Sequence, residues 1–85
     1  MPKIKIYSTM LCPYCSAAKT LLKKKGAEFE EIDVTFNPSE RSRMTELSGG
    51  RTSVPQIWIG DRHIGGFDDL SELNADGELD PLLAT

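Results

Sequence analysis

Lys3-Ile4-Lys5-Ile6-Tyr7-Ser8-Thr9-Met10-Leu11-Cys12-Pro13-Tyr14-Cys15-Ser16-Ala17-Ala18-Lys19-Thr20-Leu21-Leu22-Lys23-Lys24-Lys25-Gly26 sets the start of the fold. Lys3 to Tyr7 alternate polar and apolar side chains with β-branched character, the period of two that a strand with unlike faces requires. From Tyr14 the period changes. Tyr14, Ala17, Ala18, Leu21 and Leu22 recur at the three-and-four spacing of one helix face, with Ser16, Lys19, Thr20, Lys23 and Lys24 opposite. Lys23-Lys24-Lys25 suits a helix C-terminus, where cations favour the dipole, and Gly26 stops the helix.

Cys12 and Cys15 lie where strand gives way to helix, and they are the chain's two cysteines. A structural disulfide stabilises mostly by closing a long loop in the unfolded chain, and a two-residue gap closes almost none. A closed zinc site needs four ligands, usually two such pairs, and here only His63 remains. A redox pair survives. Cys12 falls at the expected N-cap, Pro13 fits the first helical position, and Cys15 follows about one turn on, so the sulfurs can bond without unwinding the helix. At a helix start the unpaired N–H groups and the dipole favour a thiolate. Cys12 is therefore read as the nucleophile and Cys15, deeper in the helix, as the resolving thiol of a redox-active disulfide. Tyr14 is either a core aromatic of the helix face or a rim residue beside the sulfurs.

Further along, Ala27 to Val34 carries Phe29, Ile32 and Val34, a strand whose phase slips between Phe29 and Ile32. A bulge or burial on both faces would account for it. Asn37-Pro38-Ser39-Glu40 reads as a helix start, with an N-cap oxygen, Pro at the first position and Glu three residues after the cap. This helix is expected to end near Leu47, before Gly49-Gly50. Gln56-Ile57-Trp58-Ile59 and Arg62-His63-Ile64 flank Gly60-Asp61 as a tight hairpin. Asp68-Asp69 is expected to cap a short helix with Leu70 and Leu73, and Leu79, Leu82 and Leu83 to cover the same side of the sheet. The order is strand, helix, strand, helix, hairpin, helix, a βαβ unit followed by a ββα unit around a four-stranded mixed sheet. In a parallel βαβ pair the loop after the first strand lies at the carboxyl edge, where α/β proteins hold ligands.

At 85 residues the chain has room for one domain, spanning 1–85. Ten basic and thirteen acidic side chains, net charge −3, are mixed along the sequence without the clustered cations that nucleic-acid binding shows. No apolar run approaches the roughly 20 residues of a membrane span, and Met1-Pro2-Lys3-Ile4-Lys5 lacks the apolar stretch of a secretory signal. A cytoplasmic monomer, bound neither to nucleic acid nor to membrane, is expected.

Cys12-Pro13-Tyr14-Cys15, then Ser53-Val54-Pro55 where Thr-Val-Pro is usual, then Gly65-Gly66-Phe67-Asp68-Asp69 are three motifs that in this order resemble the glutaredoxins, most closely the small bacterial dithiol type. The resemblance covers essentially the whole chain. It implies an α/β, thioredoxin-like fold and a glutathione-disulfide oxidoreductase whose reducing co-substrate is glutathione, with a glutathione reductase upstream and no metal. The glutathione groove would take Tyr14, Arg51, Ser53, Val54, Pro55, Gly66, Phe67, Asp68 and Asp69. The family's proline is cis, leaving Val54 extended so that its N–H and C=O can pair with the cysteinyl part of glutathione. Gly65-Gly66 would admit the ligand closely, the Phe67 and Asp68 N–H groups would receive the γ-glutamyl carboxylate, and Asp68 or Asp69 would accept from its ammonium. Simple capping of the last helix is the competing use of both aspartates. Trp58 and His63 are read as structural.

Thr9 departs from the family, many of whose members carry Lys three residues before the first cysteine. Thr9 brings a hydrogen bond but no charge, and Arg51 is the candidate substitute. Met10-Leu11 is more apolar than in many relatives, which points to apolar partner surfaces. Phe67 stands where some relatives have a third cysteine. Three other functions are open: a thioredoxin-like reductant fed by a flavoprotein reductase, a carrier of an iron-sulfur cluster held by two chains and two glutathiones, and a structural binding module. Tyr14 and Gly65-Gly66 disfavour the first. Pro13 and the competing Cys15 disfavour the second, since the usual cluster carriers are monothiol relatives with Gly-Phe-Ser after the cysteine.

Overall fold

The computed structural model describes residues 2–84. Its elements are β1 (Ile4–Ser8), α1 (Pro13–Lys24), β2 (Glu30–Asp33), α2 (Pro38–Leu47), β3 (Gln56–Ile59), β4 (Arg62–Gly65), α3 (Phe67–Ala75) and α4 (Leu79–Leu83). The strands form one sheet in the order β2-β1-β3-β4, with β1 parallel to β2, antiparallel to β3, and β3 antiparallel to β4. The βαβ and ββα halves thus meet along β1 and β3, and the expected four-stranded mixed sheet is present.

Alternation in the strands divides the core. Ile4 and Ile6 of β1 and Ile57 and Ile59 of β3 face one way and pack with Ala18 and Leu22 of α1, Ala27, Leu70 of α3, and Leu79 and Leu83 of α4. Each fully buried Leu or Ile side chain there stabilises by about 1.5–3 kcal/mol, so α1 is clamped to the sheet chiefly by Leu22, with Ala18 beside it. Tyr7, Val34 and Met44 form a smaller cluster on the other face, under α2. Leu79 and Leu83 do cover the first face, but from a separate five-residue helix, α4.

The phase slip near β2 needs no bulge. Phe29 packs on the α1 side and Ile32 and Val34 on the α2 side, so an unbroken period of two serves both layers. β2 is an edge strand, and Glu30, Glu31 and Asp33 are exposed. Asn37 caps α2 as expected, its Oδ1 accepting from the Glu40 N–H at 3.3 Å. Gly60-Asp61 turns a two-residue hairpin that sets Trp58 opposite His63. Among the described residues, no helix is long and apolar enough to cross a membrane.

Candidate active site

Because β1 and β2 run parallel and β3 starts beside the end of β1, the loops after β1 and β2, the loop before β3 and the start of α3 gather at one edge of the sheet. Cys12 is the N-cap of α1, with Pro13 in the first turn. Its Sγ accepts a hydrogen bond from the Cys15 N–H at 3.1 Å, the place a serine or threonine oxygen takes in an ordinary cap. A backbone dipole is thus aimed at the sulfur that would carry negative charge. The Cys12 thiol is half-buried and reaches the Val54 carbonyl at 3.9 Å.

Cys15, also a free thiol, is 1% exposed. Burial pushes it up to about 12, and its hydrogen bond with the Cys12 sulfur adds to that, while the Thr9 N–H and the charge of Lys19 oppose. Lys19 itself pairs with Glu31 at 2.8 Å, and Ser8 donates to the same carboxylate. Thr9 thus serves the site through its backbone, next to the inner sulfur.

The loop before β3 is held from several sides. The Val54–Pro55 bond is cis, in agreement with the family pattern. Ser48 Oγ accepts from the Arg51 N–H at 3.2 Å, and Arg41 donates to the Thr52 carbonyl at 3.0 Å. Gln56, fully buried, donates to the Ser53 carbonyl at 3.0 Å and accepts from His63 Nε2 at 2.8 Å. Burial, then the charge of Arg51, hold His63 below its ordinary range, so the ring is neutral and its Nε2–H is the donor. His63 also lies against Trp58 across the β3–β4 pair, with ring centroids 4.7 Å apart. The part played by Gln56 was missed in the sequence, where its one signal is an amide directly after the proline.

At the start of α3 the N-cap is Gly66 rather than Asp68 or Asp69. Asp69 reaches back to accept from the Gly66 N–H at 2.9 Å and pairs with Arg51 at 3.3 Å, so capping is its observed use. Asp68 is exposed in the same turn. Arg51 is therefore tied to α3 through Asp69. Gly65 has φ 115°, and a Cβ there would collide with the Asp69 carboxylate and the Arg51 guanidinium. This glycine makes room for the ion pair. Tyr14 is 63% exposed and stacks beside Phe67, with centroids 6.3 Å apart, which settles it as a rim residue.

Tyr14, Arg51, Ser53, Val54, Pro55, Gly66, Phe67, Asp68 and Asp69 together line a groove of about 360 Å³. These are the nine residues expected from the sequence, and Cys12 adjoins the groove through Val54. Another hollow, about 340 Å³, lies on the α2 side between Lys3, Lys5, Arg43 and Trp58, with no cysteine in its walls. Among the described residues, no three His, Cys, Asp or Glu side chains gather as a metal would require.

The family model for Glutaredoxin matches residues 4–64. Glutaredoxin 3 of Escherichia coli is 51% identical over 83 residues, which are 98% of this chain and 99% of the relative. The solution structure of glutaredoxin from Brucella melitensis matches with a TM-score of 0.86 and 52% identity, over 98% of this chain and 89% of that one. The crystal structure of a buckwheat glutaredoxin-glutathione complex matches with a TM-score of 0.88 and 31% identity, over 95% of this chain and 76% of that one. Sequence shared at about half of all positions, in one common thioredoxin-like fold, makes the chain a member of the glutaredoxin family of thiol-disulfide oxidoreductases.

Proposed function

We propose that the protein is a glutathione-disulfide oxidoreductase that reduces glutathione mixed disulfides through Cys12 and protein disulfides through Cys12 and Cys15. The observation that carries this reading is the groove that runs from Val54, beside the Cys12 sulfur, to the open helix start at Phe67 and Asp68. The Val54 backbone, held ahead of the cis Pro55, offers pairing to the cysteinyl unit of glutathione, and the α3 N–H groups suit its γ-glutamyl carboxylate. Asp68 is the better placed acceptor for the ammonium, because Asp69 already caps Gly66 and holds Arg51.

In the monothiol reaction, the Cys12 thiolate attacks the glutathione sulfur of a mixed disulfide, and the target cysteine leaves as a thiolate that takes up a proton. Cys12 is then bonded to glutathione. A second glutathione thiolate attacks that glutathione sulfur, releasing glutathione disulfide and the Cys12 thiolate. With a protein disulfide, Cys12 captures one target sulfur, Cys15 loses its proton and attacks Cys12 Sγ, and the target departs with both cysteines reduced. The Cys12–Cys15 disulfide is returned to thiols by two glutathiones. A glutathione reductase upstream and a potential of about −200 to −230 mV complete the cycle, in a cytoplasmic monomer.

The test is turnover of a small glutathione mixed disulfide coupled to glutathione and glutathione reductase, with the parent and both Cys→Ser variants. Turnover driven by a thioredoxin-type flavoprotein reductase and not by glutathione would overturn the proposal.

A further inference from the structure

Of the large hydrophobic side chains that remain exposed, Met10, Leu11, Tyr14 and Phe36 come from the thiol edge of the sheet, and Leu47 lines the hollow on the α2 side. Met10 is 65% exposed, Leu11 96% and Phe36 88%. Single exposed apolar residues are ordinary, but a cluster on an active-site rim marks a contact surface. Met10 and Leu11 come from the loop after β1 and Phe36 from the loop after β2, and the two loops are joined. The Met10 N–H donates to Thr35 Oγ1 at 2.8 Å, and the Thr35 N–H donates to Asp33 Oδ1 at 2.8 Å. The Val34 N–H continues the β1–β2 pairing by donating to the Ser8 carbonyl at 2.8 Å. Phe36 is thereby fixed beside the loop that leads into Cys12.

This rim lies on the side of Cys12 away from the groove. In the order β2-β1-β3-β4, the groove is built on the β3 and β4 side of β1, whereas Phe36 follows β2. A disulfide has two halves. With glutathione in the groove and its sulfur at Cys12, the polypeptide on the other sulfur must leave elsewhere, and the β2 side is open to it. The rim's own two stretches are also uncharged, the Asp33 carboxylate that holds the Thr35 N–H lying just outside them. Residues 9–18 and 34–39 contain no Asp, Glu, Lys or Arg, in a chain that is 27% charged.

We propose that Met10, Leu11 and Phe36 form a docking face for the substrate polypeptide, selecting glutathionylated cysteines flanked by apolar side chains. The proposal rests on the glutathione-dependent reading above. It is tested with two glutathionylated peptides of equal length, one with Leu and Phe beside the cysteine and one with Ser and Gly, and with glutathionylated mercaptoethanol as the small substrate. The parent is expected to favour the apolar peptide by about tenfold in kcat/KM, a preference that corresponds to one buried apolar contact. Leu11→Ser combined with Phe36→Ser should abolish that preference, with unchanged turnover of the small substrate and an unchanged thermal midpoint. Equal rates on both peptides with the parent, or an equal loss on all three substrates in the variant, would overturn the proposal. So would a change in sedimentation between parent and variant, which would assign the face to a second copy of the chain. Single-turnover exchange with the same peptide sequences as mercaptoethanol mixed disulfides, without glutathione, reads the flank preference even where the glutathione assignment fails.

Discussion

Cys12 sits at the mouth of α1, where a backbone N–H reaches its sulfur, while Cys15, three residues on, faces the sheet with 1% of its surface exposed. One helical turn separates a sulfur that substrates can meet from one that only Cys12 can meet. In the proposed roles it is position on the helix, rather than residue type, that divides the labour. It also sets an order of events. A negative Cys12 raises Cys15 further, so the inner thiol keeps its proton while Cys12 is free. Once Cys12 is bonded to a substrate sulfur, that charge is gone and one cause that holds the Cys15 proton is removed, while its burial remains.

The sharpest way to break this contrast is to remove each sulfur in turn. Cys12→Ser is expected to reduce every thiol-transfer reaction to the uncatalysed rate, whereas Cys15→Ser should keep reduction of small glutathione mixed disulfides and lose reduction of protein disulfides. Parallel assays on both substrates check this, and equal losses in the two variants would end the assignment of roles.

The next effect concerns pH. With Cys15 pushed up to about 12, its thiolate fraction at pH 8 is on the order of one in ten thousand. Iodoacetamide on the reduced protein at pH 8 should therefore label Cys12 and spare Cys15, with Cys15 labelling rising only as pH approaches 12. Peptide mass spectrometry reads the two sites separately, and equal labelling at pH 8 would contradict the contrast.

A smaller effect is expected beside the thiols. Gln56→Ala strips the Ser53 carbonyl and His63 Nε2 of their partner in a buried setting, which costs about 1–3 kcal/mol. Chemical denaturation should show that loss, and the KM for glutathione should rise as the Ser53-Val54-Pro55 wall loosens. Least of all, Thr9→Lys brings a cation to the loop before Cys12 and should speed Cys12 alkylation at neutral pH by a fewfold. An unchanged rate would show that the backbone alone sets the reactivity at this position.

What was legible in the sequence was local. A strand period passing into a helix period at Cys12, the Asn37-Pro38 cap and the Gly60-Asp61 turn each state their geometry within a few residues. The groove became legible only through the resemblance to glutaredoxins, because its walls come from three separate stretches. Tyr14 misleads a periodicity reading because the first turn of α1 projects beyond the sheet edge and meets Phe67 instead of core. Gln56 drew no reading of its own, and Gly65 was read only as letting a ligand approach, for another reason. The partners of Gln56 are set by the turn before β3 and by the β3–β4 pairing, and Gly65 is confined by an ion pair between Arg51 and Asp69. Phe36 drew no reading from the sequence, since its loop is tied to the one before Cys12 only through the Thr35 hydroxyl on the Met10 N–H.

The outer edge of β2 has a consequence for the molecule in a crowded solution. Its backbone is unpaired on one side, the kind of edge on which neighbouring chains add strands and aggregate. Three of its four side chains are carboxylates, Glu30, Glu31 and Asp33. Two copies meeting edge to edge would set like charges across a strand spacing of about 4.8 Å. Lys19 neutralises Glu31 from within the same molecule and leaves Glu30 and Asp33 as the guard against templated stacking.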